Sequence, residues 1–253
     1  MTRTHGTKDF WLAALRGDAG AFRTAVGTPG ALGEPVPSCP GWTVEDLVLH
    51  LGAAYARIAG HATSGTTSRV RREIEPGPGG EAALAWFDER YAAMVDEMQR
   101  LDPQAPAWNW GPQPKTAIFW HRRLAHETAV HRWDAQMAQG HAEPIEPALA
   151  TDGVTEVLDT WLPGGLRKGP TDRSGVVQLV ATEPPADWYV RLRADGGVAL
   201  LDMDTLLDTD DPHARVLAQG TASDLLLALY GRVGFEVLDV TGDATLLESL
   251  RTG

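Results

Sequence analysis

Apolar residues recur at helical spacing through the first half of the chain. Over residues 7–26, Trp11, Leu15, Ala19 and Phe22 fall on one stripe, which predicts a first helix. The connection GTPGALGEPVPSCPG follows, and Pro35, Pro37 and Pro40 keep it extended and irregular. Thr43, with Asp46 three residues later, forms a variant capping box that opens a second helix, WTVEDLVLHLGAAYARIAGHA. Residues 63–80 are polar and glycine-rich and read as a loop. Leu84, Phe87, Tyr91, Met94 and Met98 then set one face of a third helix over 81–101, which ends at Asp102-Pro103. After the loop PQAPAWNWGPQPKT, a fourth helix, IFWHRRLAHETAVHRWDAQMAQG, stops at Gly140. Four helices joined by loops predict an antiparallel four-helix bundle.

Beyond Pro144 and Pro147 the period changes. A short helix (148–162) precedes strand-like segments at 175–181, 188–193 and 197–202, with Asp195-Gly196-Gly197 as a hairpin turn between the last two. Residues 213–219 read as a strand, Ser223 as the cap of a helix DLLLALYGR, 235–240 as a strand, and a last helix starts at Asp243. The fold class is therefore α+β, with a helical domain over 1–150, an α+β domain over 151–253, and the change of pattern falling at 145–165.

Composition narrows the functional classes. With 253 residues and 43% hydrophobic content the chain can bury a real core. No apolar run is long enough to span a membrane, and the opening MTRTHGTKDFW lacks a basic region followed by an apolar one, so a cytoplasmic protein is expected. The net charge of −12 argues against a nucleic-acid partner, because phosphate backbones need clustered Lys and Arg. Residues 151–253 hold 8 basic and 17 acidic side chains, against 14 and 17 in residues 1–150, so the two domains present different surfaces. Cys39 is the single cysteine, which excludes an intramolecular disulfide and a multi-cysteine zinc site. It reads as a small side chain in the SCPGW turn, with a nucleophile as the alternative.

Candidate chemistry sits on the fourth helix. Glu127 and His131 are four residues apart and share a face, with Asp134 close to it. A carboxylate and an imidazole on adjacent turns can hold one cation, and bundle cores build metal sites this way. His50, among Leu47, Leu49 and Leu51, is the best third ligand. A His-Glu-His set leaves a coordination position open, as a catalytic zinc site needs. Asp46 or Asp134 could accept the other imidazole N–H and fix its tautomer. His121 and His126 are turned by roughly 80° or more from this face. The same spacing also suits a surface Glu–His pair and a satisfied core histidine.

The segments VPSCPGWTVEDLVLHLG, RRLAHETAVHRWDAQMAQG and QGTASDLLLALYGR…FEVLDVTGDATLLESL resemble the mycothiol-dependent maleylpyruvate isomerase family, within the wider DinB-like helical bundles. The resemblance implies an N-terminal bundle holding a divalent metal, usually zinc, on His50, Glu127 and His131, and a small SCP2-like α+β C-terminal domain. It implies a catalytic arginine, matched by Arg232 of the Gly231-Arg232 pair. It further implies mycothiol as the thiol cosubstrate, with a small electrophile as substrate. The thiolate would add to a cis double bond and leave again, or stay attached in an S-transfer. The loops 63–80 and 103–116 carry nothing that matches the isomerase itself. A metal-assisted hydrolase and a non-catalytic ligand-binding protein with a structural metal are the alternatives. No membrane partner is expected, and the chain is expected as a monomer or homodimer.

Overall fold

The computed structural model describes residues 6–71, 73–201 and 215–253. They fall into two compact units, 1–143 and 144–253.

The first unit is the helical one. Helix α1 spans Lys8–Val26, α2 Val44–Ala62, α3 Ala82–Arg100 and α4 Ile118–Ala138. Thr7 starts α1 by accepting the Phe10 N–H. The expected capping box starts α2: Thr43 Oγ1 accepts the Asp46 N–H, and Asp46 accepts the Thr43 N–H in return. Leu12, Leu15 and Phe22 of α1, Leu47, Leu51 and Tyr55 of α2, and Phe87, Met94 and Met98 of α3 meet in one buried core. Leu84 and Tyr91, expected on the same face of α3, pack at its edge.

Helix α4 departs from the amphipathic pattern. It is buried nearly all round, and its buried residues include His121, Arg122, Arg123, His126, His131, Arg132 and Asp134. Burying charge without partners is prohibitive, so such a helix must be tied to its neighbours. Arg132 donates to Asp18 of α1, to Gln136 and to the Glu143 carbonyl. The two ring nitrogens of His121 lie 3.0 Å from the carbonyls of Ala117 and Met98, joining α4 to α3. His126 packs against Trp11.

The second unit carries a five-stranded sheet. Helix α5 (Pro147–Glu156) starts on Pro147, with the Glu146 side chain accepting the Leu149 N–H, and widens into one π-helical stretch over Val157–Trp161. The strands are β1 (Gly175–Thr182), β2 (Pro185–Leu192), β3 (Val198–Leu201), β4 (Arg215–Gly220) and β5 (Asp239–Gly242), in spatial order β3-β2-β1-β4-β5. Among the described residues, only β1 and β4 pair in parallel. Leu179, Trp188, Val190, Val216 and Ala218 are buried along one face. The Trp188 indole N–H reaches Thr155 of α5, and helix α6 (Ala222–Leu229) packs on β1 and β4.

The hairpin turn lies where expected, with Gly196 at φ +87° and the Arg193 N–H donating to the Gly197 carbonyl. Residues 202, 213 and 214 of two expected strands lie outside the described residues. Three local expectations are corrected. Thr221, not Ser223, caps α6, accepting the Asp224 N–H, while Ser223 accepts the Ile145 N–H instead. The segment 235–240 begins as a 3-10 turn, closed by the Val237 and Leu238 N–H groups donating to the Gly234 and Phe235 carbonyls, and pairs as a strand only from Asp239. The closing helix is a 3-10 helix, Ala244–Leu250.

Candidate metal centre

Glu127 and His131 lie one turn apart on α4, facing His50 on α2. Glu127 Oε1 is 3.3 Å from His50 Nε2 and 3.6 Å from His131 Nε2. One ligand atom from each of the three residues lies within 4.8 Å of the other two. Tetrahedral coordination with bonds of about 2.1 Å spaces its ligands roughly 3.4 Å apart, so the donor set and its spacing fit a small divalent cation. The His50 side chain keeps 32% exposure, against 18% for Glu127 and 9% for His131, so the cluster opens on the His50 side.

The outer contacts are as specific. Arg123, one turn before Glu127, places Nη2 3.3 Å from Glu127 Oε2. It therefore occupies the oxygen that does not face the imidazoles. His131 Nδ1 donates to Asp134 Oδ2 at 2.8 Å, which leaves Nε2 directed at Glu127. Of the two carboxylates considered for this task, Asp134 performs it, while Asp46 is engaged in its capping box. Trp42 packs on His50 at 4.9 Å between ring centroids, and His50 meets His131 edge-on at 4.9 Å. His121 and His126 stay out of the cluster, held by backbone carbonyls and by Trp11.

Arg232 lies in the second unit, just beyond α6 in the turn made by Gly231 at φ +70°. Its Nη1 donates to the Tyr230 carbonyl at 3.1 Å. Cys39 is half-buried, with its thiol 3.7 Å from Asp134 Oδ2.

The charges shape the titration of the cluster. Burial alone would raise the Glu127 carboxyl, but hydrogen bonds from His131 and His50 and the Arg123 charge hold it well below its usual range. Burial would likewise lower His131, yet Asp134 and Glu127 outweigh it and push the imidazole up to about 9. A raised folded-state value contributes stability that is complete below about 6.5 and lost as pH rises through 9. The metal-free protein should therefore lose stability between about pH 6.5 and 9, read as a falling urea midpoint in the presence of chelator. A His131→Gln variant should lose this dependence. A slope unchanged in that variant contradicts the assignment of the proton to His131.

Sequence reasoning missed Arg123, although its i,i+4 spacing to Glu127 was visible. It also missed the contacts of Ser38, Cys39 and Trp42, which lie in a loop and are made only by tertiary packing.

Comparison with known proteins is consistent over most of the chain. Residues 12–136 match the family model described as mycothiol maleylpyruvate isomerase N-terminal domain, and residues 148–249 match the MDMPI C-terminal domain model. Among solved structures, the fold is similar to a crystal structure of the mycothiol-dependent maleylpyruvate isomerase, with TM-score 0.61, 13% identity and 93% of each chain covered. A histidine-to-alanine mutant of such an isomerase gives TM-score 0.64 and 12% identity over the same share of both chains. No curated protein matches the sequence. Among the described residues, no helix is long and apolar enough to cross a membrane.

Proposed function

Because the chain belongs to the mycothiol-dependent maleylpyruvate isomerase family, we propose that it is a metal- and mycothiol-dependent enzyme that isomerises a small electrophilic substrate, with His50, Glu127 and His131 as the metal ligands. The observation that carries this reading is the single carboxylate oxygen of Glu127 set 3.3 and 3.6 Å from two imidazole nitrogens. Two neutral imidazoles and one carboxylate suit zinc and leave a position open to a further ligand. A divalent cation held there supplies the charge that turns a thiol into thiolate at neutral pH.

The chain's own residues do the rest. Asp134 keeps the His131 Nδ1 proton, so the Nε2 lone pair is the one presented inward. Arg123 holds Oε2 of Glu127 and leaves Oε1 for the cluster. The more exposed His50 marks the side from which thiol and substrate enter. Arg232 is assigned to the substrate carboxylate or to developing negative charge, the role that a guanidinium fork serves well. Cys39 is not needed as nucleophile, since the cosubstrate brings its own sulfur.

The test is turnover of a cis-configured unsaturated acid by zinc-loaded protein, with and without added mycothiol. Turnover is expected only with thiol, and the product is expected to be the trans acid without sulfur. Thiol-independent hydrolysis contradicts the reading, and a thioether product converts it to S-transfer. Arg232→Ala should lower kcat/KM by at least ~10-fold, the scale of one lost charge-assisted hydrogen bond, with zinc content unchanged. Unaltered kinetics remove Arg232 from the mechanism.

A further inference from the structure

The loop between Glu34 and Thr43 closes on itself. The Val36 N–H donates to the Trp42 carbonyl, the Trp42 N–H to the Cys39 carbonyl, and the Val44 N–H to the Glu34 carbonyl. Pro35 and Thr43 form an isolated antiparallel bridge across its base. Val36 is 2% exposed and anchors the loop in the helical core. Gly41 sits at φ +85°, a backbone conformation that L side chains rarely adopt, which explains a glycine at this turn. Thr43 then caps α2.

Three side chains of this loop, Ser38, Cys39 and Trp42, reach a candidate histidine or the carboxylate that supports it. Ser38 Oγ donates to Asp134 Oδ1 at 2.6 Å. The Cys39 thiol lies 3.7 Å from Asp134 Oδ2, the same oxygen that accepts from His131. Asp134 is completely buried. Trp42 packs on His50. The two imidazoles come from different helices, yet one loop touches the carboxylate behind His131 and the ring of His50.

We propose that the Ser38–Trp42 loop is a positioning element for the metal centre, orienting His131 through the Ser38–Asp134 pair and His50 through the Trp42 ring. None of its residues belongs to the His50, Glu127 and His131 set. A buried carboxylate with an unrestrained torsion could offer either oxygen, or neither, to His131. Ser38 restrains that torsion from outside the helix, beside the contacts Asp134 makes with His131 and Cys39. This inference rests on the metal-binding reading above, and the test separates the two.

Zinc affinity would be measured by competition with a chromophoric chelator for the wild type, Asp134→Asn and Ser38→Ala. Loss of such an outer partner typically weakens a metal site by ~10–100-fold. That range is expected for Asp134→Asn, whose amide nitrogen can face Nδ1 and favour the wrong tautomer. A smaller loss in the same direction is expected for Ser38→Ala, a half-buried loop change that keeps the fold. A purely structural role would lower thermal stability and leave zinc affinity at the wild-type value in both variants, which overturns the proposal. The second readout needs no metal. In metal-free protein the His131 Nδ1 proton should appear as a slowly exchanging downfield resonance, retained in the wild type and lost in Asp134→Asn. Its absence from the wild type overturns the proposal. Its presence in a wild type that binds no zinc supports the orientation and overturns the metal-binding reading instead.

Discussion

Glu127→Ala is expected to leave a protein that holds no stoichiometric zinc and has no thiol-dependent activity. Glu127 Oε1 is the atom shared by both imidazoles, so its removal takes away the only negative donor of the three. Two imidazoles on separate helices then remain. The change also removes the carboxylate that faces the 4%-exposed Arg123 side chain. Breaking a buried ion pair at one end costs about 3 kcal/mol or more, so the metal-free variant should also unfold at lower urea. Elemental analysis after dialysis against zinc, with urea unfolding in chelator, reads both effects. One full equivalent of zinc in Glu127→Ala contradicts the ligand assignment. Glu127→Gln keeps the shape without the charge and should show the same loss of metal.

Arg123→Met tests the other side of the same pair. Its guanidinium contacts Glu127 Oε2 and contributes to holding that carboxyl well below its usual range. With the guanidinium gone, the carboxyl should rise only part of the way, because the contacts to His131 and His50 are the larger causes of its lowering, and the metal-free protein should lose less than the ~3 kcal/mol of a buried pair broken with no other partner. A lowered folded-state value contributes stability above about pH 4.5 that is lost as pH falls. The wild type should therefore lose this contribution on acidification, while Arg123→Met shows a flatter acid limb. Zinc-loaded Arg123→Met should recover much of the loss, since a divalent charge then faces the same carboxylate. Equal destabilisation with and without zinc contradicts this account of Arg123.

What could be read from sequence followed from local rules. The capping box at Thr43 and Asp46 depends on neighbours three residues apart, and α2 starts where it predicts. Glu127 and His131 were placed on one face by the helical period, and Asp134 fell close enough to be weighed as a partner. Helix α4 itself was recognisable, but its burial was not. Its arginines and histidines spread around the whole circumference, which by pattern suggests exposure, and partners such as Asp18, Glu127, Asp134, Gln136 and backbone carbonyls, mostly set by tertiary packing, accompany their burial.

The loop residues show the limit more sharply. The turn character of PSCPG follows from its prolines and glycine. That Ser38 meets Asp134 across 96 positions of sequence depends on how α2 and α4 pack. The cap of α6 was open to local reading and was assigned two residues late. Thr221 with Asp224 has the capping-box spacing, and Ser223 lies inside the first turn of the helix. Arg232 was reached by resemblance, and no periodicity or spacing in the chain distinguishes it from the other arginines.

The most direct test of the metal centre is zinc-edge X-ray absorption on protein loaded with one equivalent of zinc. The spectrum should show two imidazoles within a nitrogen and oxygen shell at about 2.0–2.1 Å and no sulfur, and one sulfur at about 2.3 Å should enter when mycothiol is added. Sulfur in the shell before thiol is added, more than two imidazoles, or a shell that thiol leaves unchanged would contradict an open site built from His50, Glu127 and His131.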